Sequence, residues 1–385
     1  MNRNINNNNN VTIAPEHTYI TIQSNASASW GGYANIDINV SNYCVHEIFL
    51  QINTGPITGI TASSVLTLPA FCSAFKWFTQ VNITNQNNSL DIYDAQSNYL
   101  MNQLYTSLED SYFINAAAGP YNSLVSRYAM SQTTSNWIIG LKSGIFNQIK
   151  SELLNSNYNI RVSVLLDNLS NIVNTGTLTG TAACVINSVS LLLKVSKYDQ
   201  NTTNNKLLQL SRLPSMKLYN TTAYQPFIAN SGSSQSIICL SNFIGLNVQF
   251  LYFVVRLSSA ITKSEGFQFL NNISNYSVLS SSGESLTGSI ITPSQSLYIY
   301  NKTGTCGNFS IDSTYGNVFC LFHSIDPVST IMNCGGNYGH RLYSGSESLV
   351  INYSSALTTN CNIDIYASTS SILKQTPLGF TKIIV

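Results

Sequence analysis

His323, Asp326, Cys334 and His340 lie close together and are all residue types that hold a transition metal. Imidazole, carboxylate and thiolate are acceptable zinc ligands, but their spacing here matches no zinc pattern. The plainer reading is a strand histidine, a turn-starting aspartate before Pro327, a core cysteine and a loop histidine. The run Gly335-Gly336-Asn337-Tyr338-Gly339 lacks the Lys-Ser/Thr that completes a phosphate-binding loop, so it reads as a turn. Asp91 with Asp94, and Glu109 with Asp110, are the closest acidic pairs. Catalytic carboxylates usually come from separate strands, and no Gly-x-Ser-x-Gly is present. Trp30-Gly31-Gly32-Tyr33 could stack on a sugar ring, but an aromatic anchor leading into the first strand explains it better. Sequons such as Asn25-Ala26-Ser27 and Asn82-Ile83-Thr84 are expected by chance in so Asn- and Ser-rich a chain. No catalytic, cofactor-binding or metal-ligating residue is assigned.

The elements that carry these residues dominate the chain. It has 385 residues, enough for two domains. Only 9% of them are charged, against about 25% in ordinary proteins. With a net charge of +1, the surface suits burial against copies of itself better than life as a soluble monomer. No basic stripe points to direct sequence-specific nucleic-acid binding. The longest strongly apolar run, Phe250 to Val255, is too short to cross a bilayer, and Met1 to Asn10 does not look like a secretory signal. The eight cysteines are widely spaced with no Cys-x-x-Cys, which favours reduced core thiols over disulfides.

Period-two alternation predicts strands at Ile36–Val40, Val45–Ile52 and 159–166, and at 185–195 with Val189, Leu191, Leu193 and Val195 inward. In the last of these, Ser190, Lys194 and Ser196 are expected to face outward. Phe75–Ile83 reads as an extended run whose hairpin partner is Asp91–Tyr93. Leu100, Leu104 and Leu108 predict a helix over 97–109 capped by Ser97, and a second helix is expected over Ile145–Leu154. Asp199–Lys206 and the segment to Met216 read as a polar break between domains. Strands then resume at Ile237–Leu240, Leu246–Arg256, Tyr276–Leu279 and Leu297–Tyr300. The stretch 318–366 supplies three more, and in it Cys361, Ile363 and Ile365 alternate with Asn362, Asp364 and Tyr366. About eight short strands per half, with helices only in loops, predict an all-β chain of two antiparallel sandwiches.

The order of Trp137–Leu141, the helix near 146–154, 159–166 and 189–195 is echoed by 320–327, the glycine turn, 348–353 and 361–366. This arrangement resembles the double jelly-roll major capsid proteins of tailless icosahedral viruses, such as the tectivirus-like, membrane-containing phages. The resemblance implies an arm at 1–19, a first eight-stranded jelly roll at 20–205 and a linker at 206–222. A second jelly roll at 223–373 and a tail at 374–385 would follow. It implies a homotrimer of pseudo-hexameric outline that tiles an icosahedral shell around the genome. Its partners would be further trimers, penton or minor capsid proteins and, in some relatives, an internal viral membrane. The chain would be made in the host cytoplasm, sit in the virion capsid and have no enzymatic role. The alternative is a β-sandwich adhesin or glycan-binding protein, which would need export. A β-sandwich polysaccharide hydrolase is disfavoured by the scarcity of carboxylates.

Overall fold

The computed structural model describes residues 17–40, 43–61, 70–86, 88–105, 117, 124–147, 159–174, 179–258, 269–286, 292, 318–323 and 341–384. Eight strands build the first sandwich: β1 (His17–Gln23), β2 (Tyr33–Ile38), β3 (Tyr43–Thr54), β4 (Phe78–Asn85), β5 (Asn88–Asp94), β6 (Ser135–Leu141), β7 (Ile160–Leu166) and β8 (Ile186–Lys197). They form two four-stranded sheets, ordered β1-β8-β3-β6 and β2-β7-β4-β5. Every pairing is antiparallel. This is the strand order of a jelly roll.

Alternation sets which faces meet. Ile160, Val162, Val164 and Leu166 on β7 are buried, as are Val189, Leu191, Leu193 and Val195 on β8. One row comes from each sheet and the two share one core. Each such aliphatic side chain contributes about 1.5–3 kcal/mol on burial.

The second half repeats the plan with β9 (Ser215–Ala229), β10 (Gln235–Cys239), β11 (Asn247–Leu257), β12 (Ile273–Leu279), β13 (Phe319–Phe322), β14 (Ser348–Tyr353) and β15 (Cys361–Thr376). Its sheets run β9-β15-β11-β13 and β10-β14-β12. Among the described residues nothing takes the place that β5 holds in the first half. A last strand, β16 (Gly379–Ile384), turns back on the end of β15.

Several sequence expectations change. β1 starts at His17, inside the expected arm, so Trp30 leads into the second strand rather than the first. Phe75 sits in a 3-10 turn, Ala74–Lys76, ahead of β4. The helix expected near Ser97 is α1 (Ala95–Tyr105), and its cap is Asp94, whose Oδ1 accepts the Ser97 N–H at 2.6 Å. An unanticipated α2 (Leu124–Ser131) precedes β6. The helix expected over Ile145–Leu154 is a single turn, Gly144–Asn147, with the remainder outside the described residues. The strand expected at Leu297–Tyr300 also lies outside them.

The polar break is a helix, α3 (Gln200–Arg212). Asp199 caps it by accepting the Thr202 N–H at 2.8 Å and the Thr202 hydroxyl at 2.6 Å. The expected linker, 206–222, is therefore the latter part of α3 and the first half of β9. The expected tail, 374–385, carries the end of β15 and β16. Ser190 and Ser196, expected outside, are 3% and 1% exposed, and Ser196 Oγ lies 2.6 Å from His46 Nε2.

Candidate functional site: the interdomain seam

Among the described residues, those singled out in the sequence do not converge. His323 Nε2 sits 2.7 Å from the Tyr343 hydroxyl, and its backbone N–H donates to Gln249. Burial, reinforced by nearby Arg341, lowers its pKa to about 4, so the ring is neutral. Asp326, Cys334 and His340 lie outside the described residues, among which no cluster fit for a metal occurs. Trp30 packs edge-on against Trp77 at 5.5 Å and donates its indole N–H to Cys184 O, as an anchor should. The six described cysteines, Cys44, Cys72, Cys184, Cys239, Cys320 and Cys361, form no disulfide with one another. Glu109 and Asp110 lie outside the described residues.

Asp91 and Asp94, three residues apart on β5, serve different partners. Asp91 is 4% exposed and accepts the Ser143 hydroxyl at 2.5 Å. Burial pushes its carboxyl up to about 6, against the pull of Ser143 and Lys382. Asp94 faces the junction between the two halves.

That junction holds a buried polar constellation drawn from both halves. Asp364, on β15, is 2% exposed and accepts three hydrogen bonds. Arg256 Nε on β11 donates at 2.6 Å, the Tyr224 hydroxyl on β9 at 2.8 Å, and Gln96 Nε2 on α1 at 2.9 Å. Gln96 also donates to the Tyr366 hydroxyl at 2.9 Å, which in turn donates to Asp94 Oδ2 at 3.3 Å. The Tyr366 ring stacks on Tyr252 with centroids 5.1 Å apart, and the Tyr252 hydroxyl meets Ser97 Oγ at 3.3 Å. Burial raises the Asp94 pKa and drives that of Tyr366 well up, so the phenol remains a donor. A buried charge is tolerated only when paired and hydrogen-bonded, and here the partners come from both halves.

Apolar packing continues the seam. Tyr219, Phe250, Tyr252, Val254, Leu373 and Phe380 belong to the second half but join the core of the first. The Tyr219 hydroxyl donates to Leu90 O at 2.8 Å, and the Phe380 N–H donates to Asn85 Oδ1 at 2.9 Å. β11 and β15 are thus buried on both faces. The alternation that sets Asn362, Asp364 and Tyr366 opposite Cys361, Ile363 and Ile365 leaves neither Asp364 nor Tyr366 exposed, because Gln96 of α1 bonds to both on that side. What the seam can do is hold two sandwiches in one fixed orientation.

Sequence reasoning passed over Gln96, Tyr224, Tyr252, Arg256, Asp364 and Tyr366. The available signal was an Asp and a Tyr on the supposed outer face of a long strand, in a chain with few acids to spare.

No family model matches the chain, and no curated protein matches it in sequence. Solved structures do match in three dimensions. The VP54 structure of PBCV-1, fitted into a reconstruction of the virophage Sputnik, aligns with a TM-score of 0.68 and 11% identity, covering 97% of this chain and 98% of that one. The Faustovirus major capsid protein aligns at 0.69 with 9% identity, over 94% and 91%. A chain of the Sputnik virophage aligns at 0.63 with 12% identity, over 96% and 88%. The fold is therefore the double jelly roll of viral major capsid proteins.

Proposed function

We propose that this chain is a viral major capsid protein that forms homotrimers of pseudo-hexameric outline, which tile an icosahedral shell. The observation that carries the reading is the same strand order used twice in one chain and fixed by a buried seam. Three copies of two similar domains supply six similar blocks, so a threefold oligomer can fill a sixfold lattice position. A seam that flexed would spoil that equivalence. The low charge supports the reading too, because large contacts between copies remove surface from water and charged groups there are costly. The role is structural, with further trimers and then penton or minor capsid proteins as partners. Its place is the virion capsid, after synthesis in the host cytoplasm.

Light scattering and negative-stain imaging of the purified protein test this. The expected result is a particle of three 42.1 kDa chains with a hexagonal outline. Stable elongated monomers would overturn it.

A further inference from the structure

The Trp30-Gly31-Gly32-Tyr33 motif divides in the structure. Trp30 packs against the core as the anchor, while Tyr33, at the start of β2, stands 58% exposed. The turn between them is pinned to the end of β7. The Gly31 N–H donates to Asp167 O at 3.0 Å, and the Leu166 N–H donates to Gly32 O at 2.9 Å. The Tyr33 ring is thus carried by a fixed backbone on the outer strand of the sheet β2-β7-β4-β5.

The outer face of that sheet continues from Tyr33 in rows. Tyr33, Leu165 and Gln80 align across β2, β7 and β4. Asn35, Ser163 and Asn82 form the next row, and Asp37, Arg161 and Thr84 the third. Rows stand about 7 Å apart and strands about 4.8 Å. In the middle row the Ser163 hydroxyl donates to Asn35 Oδ1 at 2.7 Å, and the Ser89 hydroxyl on β5 donates to Asn82 Oδ1 at 3.1 Å. Both amide oxygens are engaged, and among the described residues no partner takes either amide nitrogen. In the third row Arg161 donates to Asp37 from Nε at 2.7 Å and from Nη2 at 3.1 Å, and Asn25 Nδ2 donates to the same carboxylate at 2.8 Å. That ion pair neutralises itself. Asp94, where the first row reaches β5, is spent in the seam. The three rows therefore offer an exposed ring and unspent amide donors with no net charge.

We infer that this face binds a neutral carbohydrate chain, with one sugar ring stacked on Tyr33 and sugar hydroxyls held by the Asn35 and Asn82 amides. A pyranose has both surfaces that the rows call for. Its C–H face covers an aromatic ring, and its hydroxyls accept from amide N–H groups. A nucleic acid would find no free cation here, because the Arg161 guanidinium is committed to Asp37. A dry contact with another protein needs an apolar centre, and the face has only two aliphatic side chains, Leu165 and Ile92. The matching sheet of the second half, β10-β14-β12, lacks these features. There Gln235 Nε2 is spent on Asn352 Oδ1 at 2.8 Å and Asn352 Nδ2 on Asn275 Oδ1 at 2.6 Å, and no exposed ring stands among its described residues. Binding of this kind does not depend on the capsid reading.

The test is affinity electrophoresis of the full-length protein in native gels containing laminarin, xylan, galactomannan or dextran. Retardation is expected in at least one of them. Tyr33→Ala should weaken it about tenfold, whereas Tyr33→Phe, which keeps the ring, should retain most of it. Asn35→Asp with Asn82→Asp turns the two donors into acceptors and should weaken it by about the same factor. Tyr19→Ala removes an equally exposed ring from the other sheet and should change nothing. The paired Asn substitutions serve where Tyr33→Ala does not fold, which a thermal melt reports. No retardation in any of the four gels overturns the inference, as does unchanged retardation of Tyr33→Ala or an equal loss in Tyr19→Ala. A change of oligomer size in Tyr33→Ala, with no retardation of the parent, would assign the face to a contact between copies. A parent protein that is retarded as a monomer would keep this inference and remove the trimer.

Discussion

A single buried carboxyl sets a pH dependence that the chain's modest charge would not suggest. Burial raises the Asp91 pKa from 3.8 to about 6. Between those values the folded state holds a proton that the unfolded chain has lost. The resulting stability is fully present below about pH 4 and is lost as pH rises through about 6. A shift of roughly two units corresponds to about 3 kcal/mol. Asp91→Asn keeps an acceptor for Ser143 and removes the charge. Its melting temperature near pH 7 should exceed that of the parent by about 5 °C, with the gap closing near pH 4. A variant less stable at every pH would mean that the carboxylate itself is required. His323 acts in the opposite sense. Its lowered pKa gives stability that is present above 6.5 and lost as pH falls toward about 4. The two groups partly offset each other between about pH 4 and 6.

Among the elements, the β15–β16 hairpin ties the end of the chain to the first sandwich. Phe380 is 1% exposed in the first half's core, and the glycine beside it is a steric requirement. A Cβ at Gly379 would stand 2.6 Å from Asn85 Oδ1, the atom that accepts the Phe380 N–H. Phe380→Ala should therefore cost about 3–5 kcal/mol, read as a shift in the denaturant midpoint. A loss below 1 kcal/mol would show that the hairpin only rests on the surface. This scale also marks where the sequence was legible. β7 follows its alternation because one face meets the core, and β8 does so except at Ser190 and Ser196. β11 and β15 do not, because a second layer covers their other face, and no local pattern encodes a neighbour more than a hundred residues away. α3 was missed because Asn and Thr are weak helix formers and its start reads as loop. The Asp199 cap was the available clue. The seam was illegible for the same reason as β15: its partners lie more than a hundred residues apart in the chain.

For the whole molecule, the seam network decides whether the two sandwiches behave as one body. Asp364→Ala leaves the Arg256 charge, itself 21% exposed, without its acceptor. Breaking such a pair costs about 3 kcal/mol. Calorimetry of the parent should give one transition, because second-half side chains complete the first core and Gln96 and Asp94 hydrogen-bond into the second half. The variant should separate into two, and a variant that still melts in one step at an unchanged temperature would remove the seam from this role.

The same interlocking has a consequence in time. All eight strands of the first sandwich have been synthesised by Lys197, yet Tyr219, Leu373 and Phe380 complete its core. At about 5–20 residues per second, the ribosome reaches Phe380 roughly 10–40 s after that first unit could begin to collapse. Throughout that interval the nascent chain carries an uncovered greasy flank that invites chaperones. A message cut short before the Phe380 codon yields a product with that flank open. Translation through Phe380 thereby becomes a condition for a closed first sandwich.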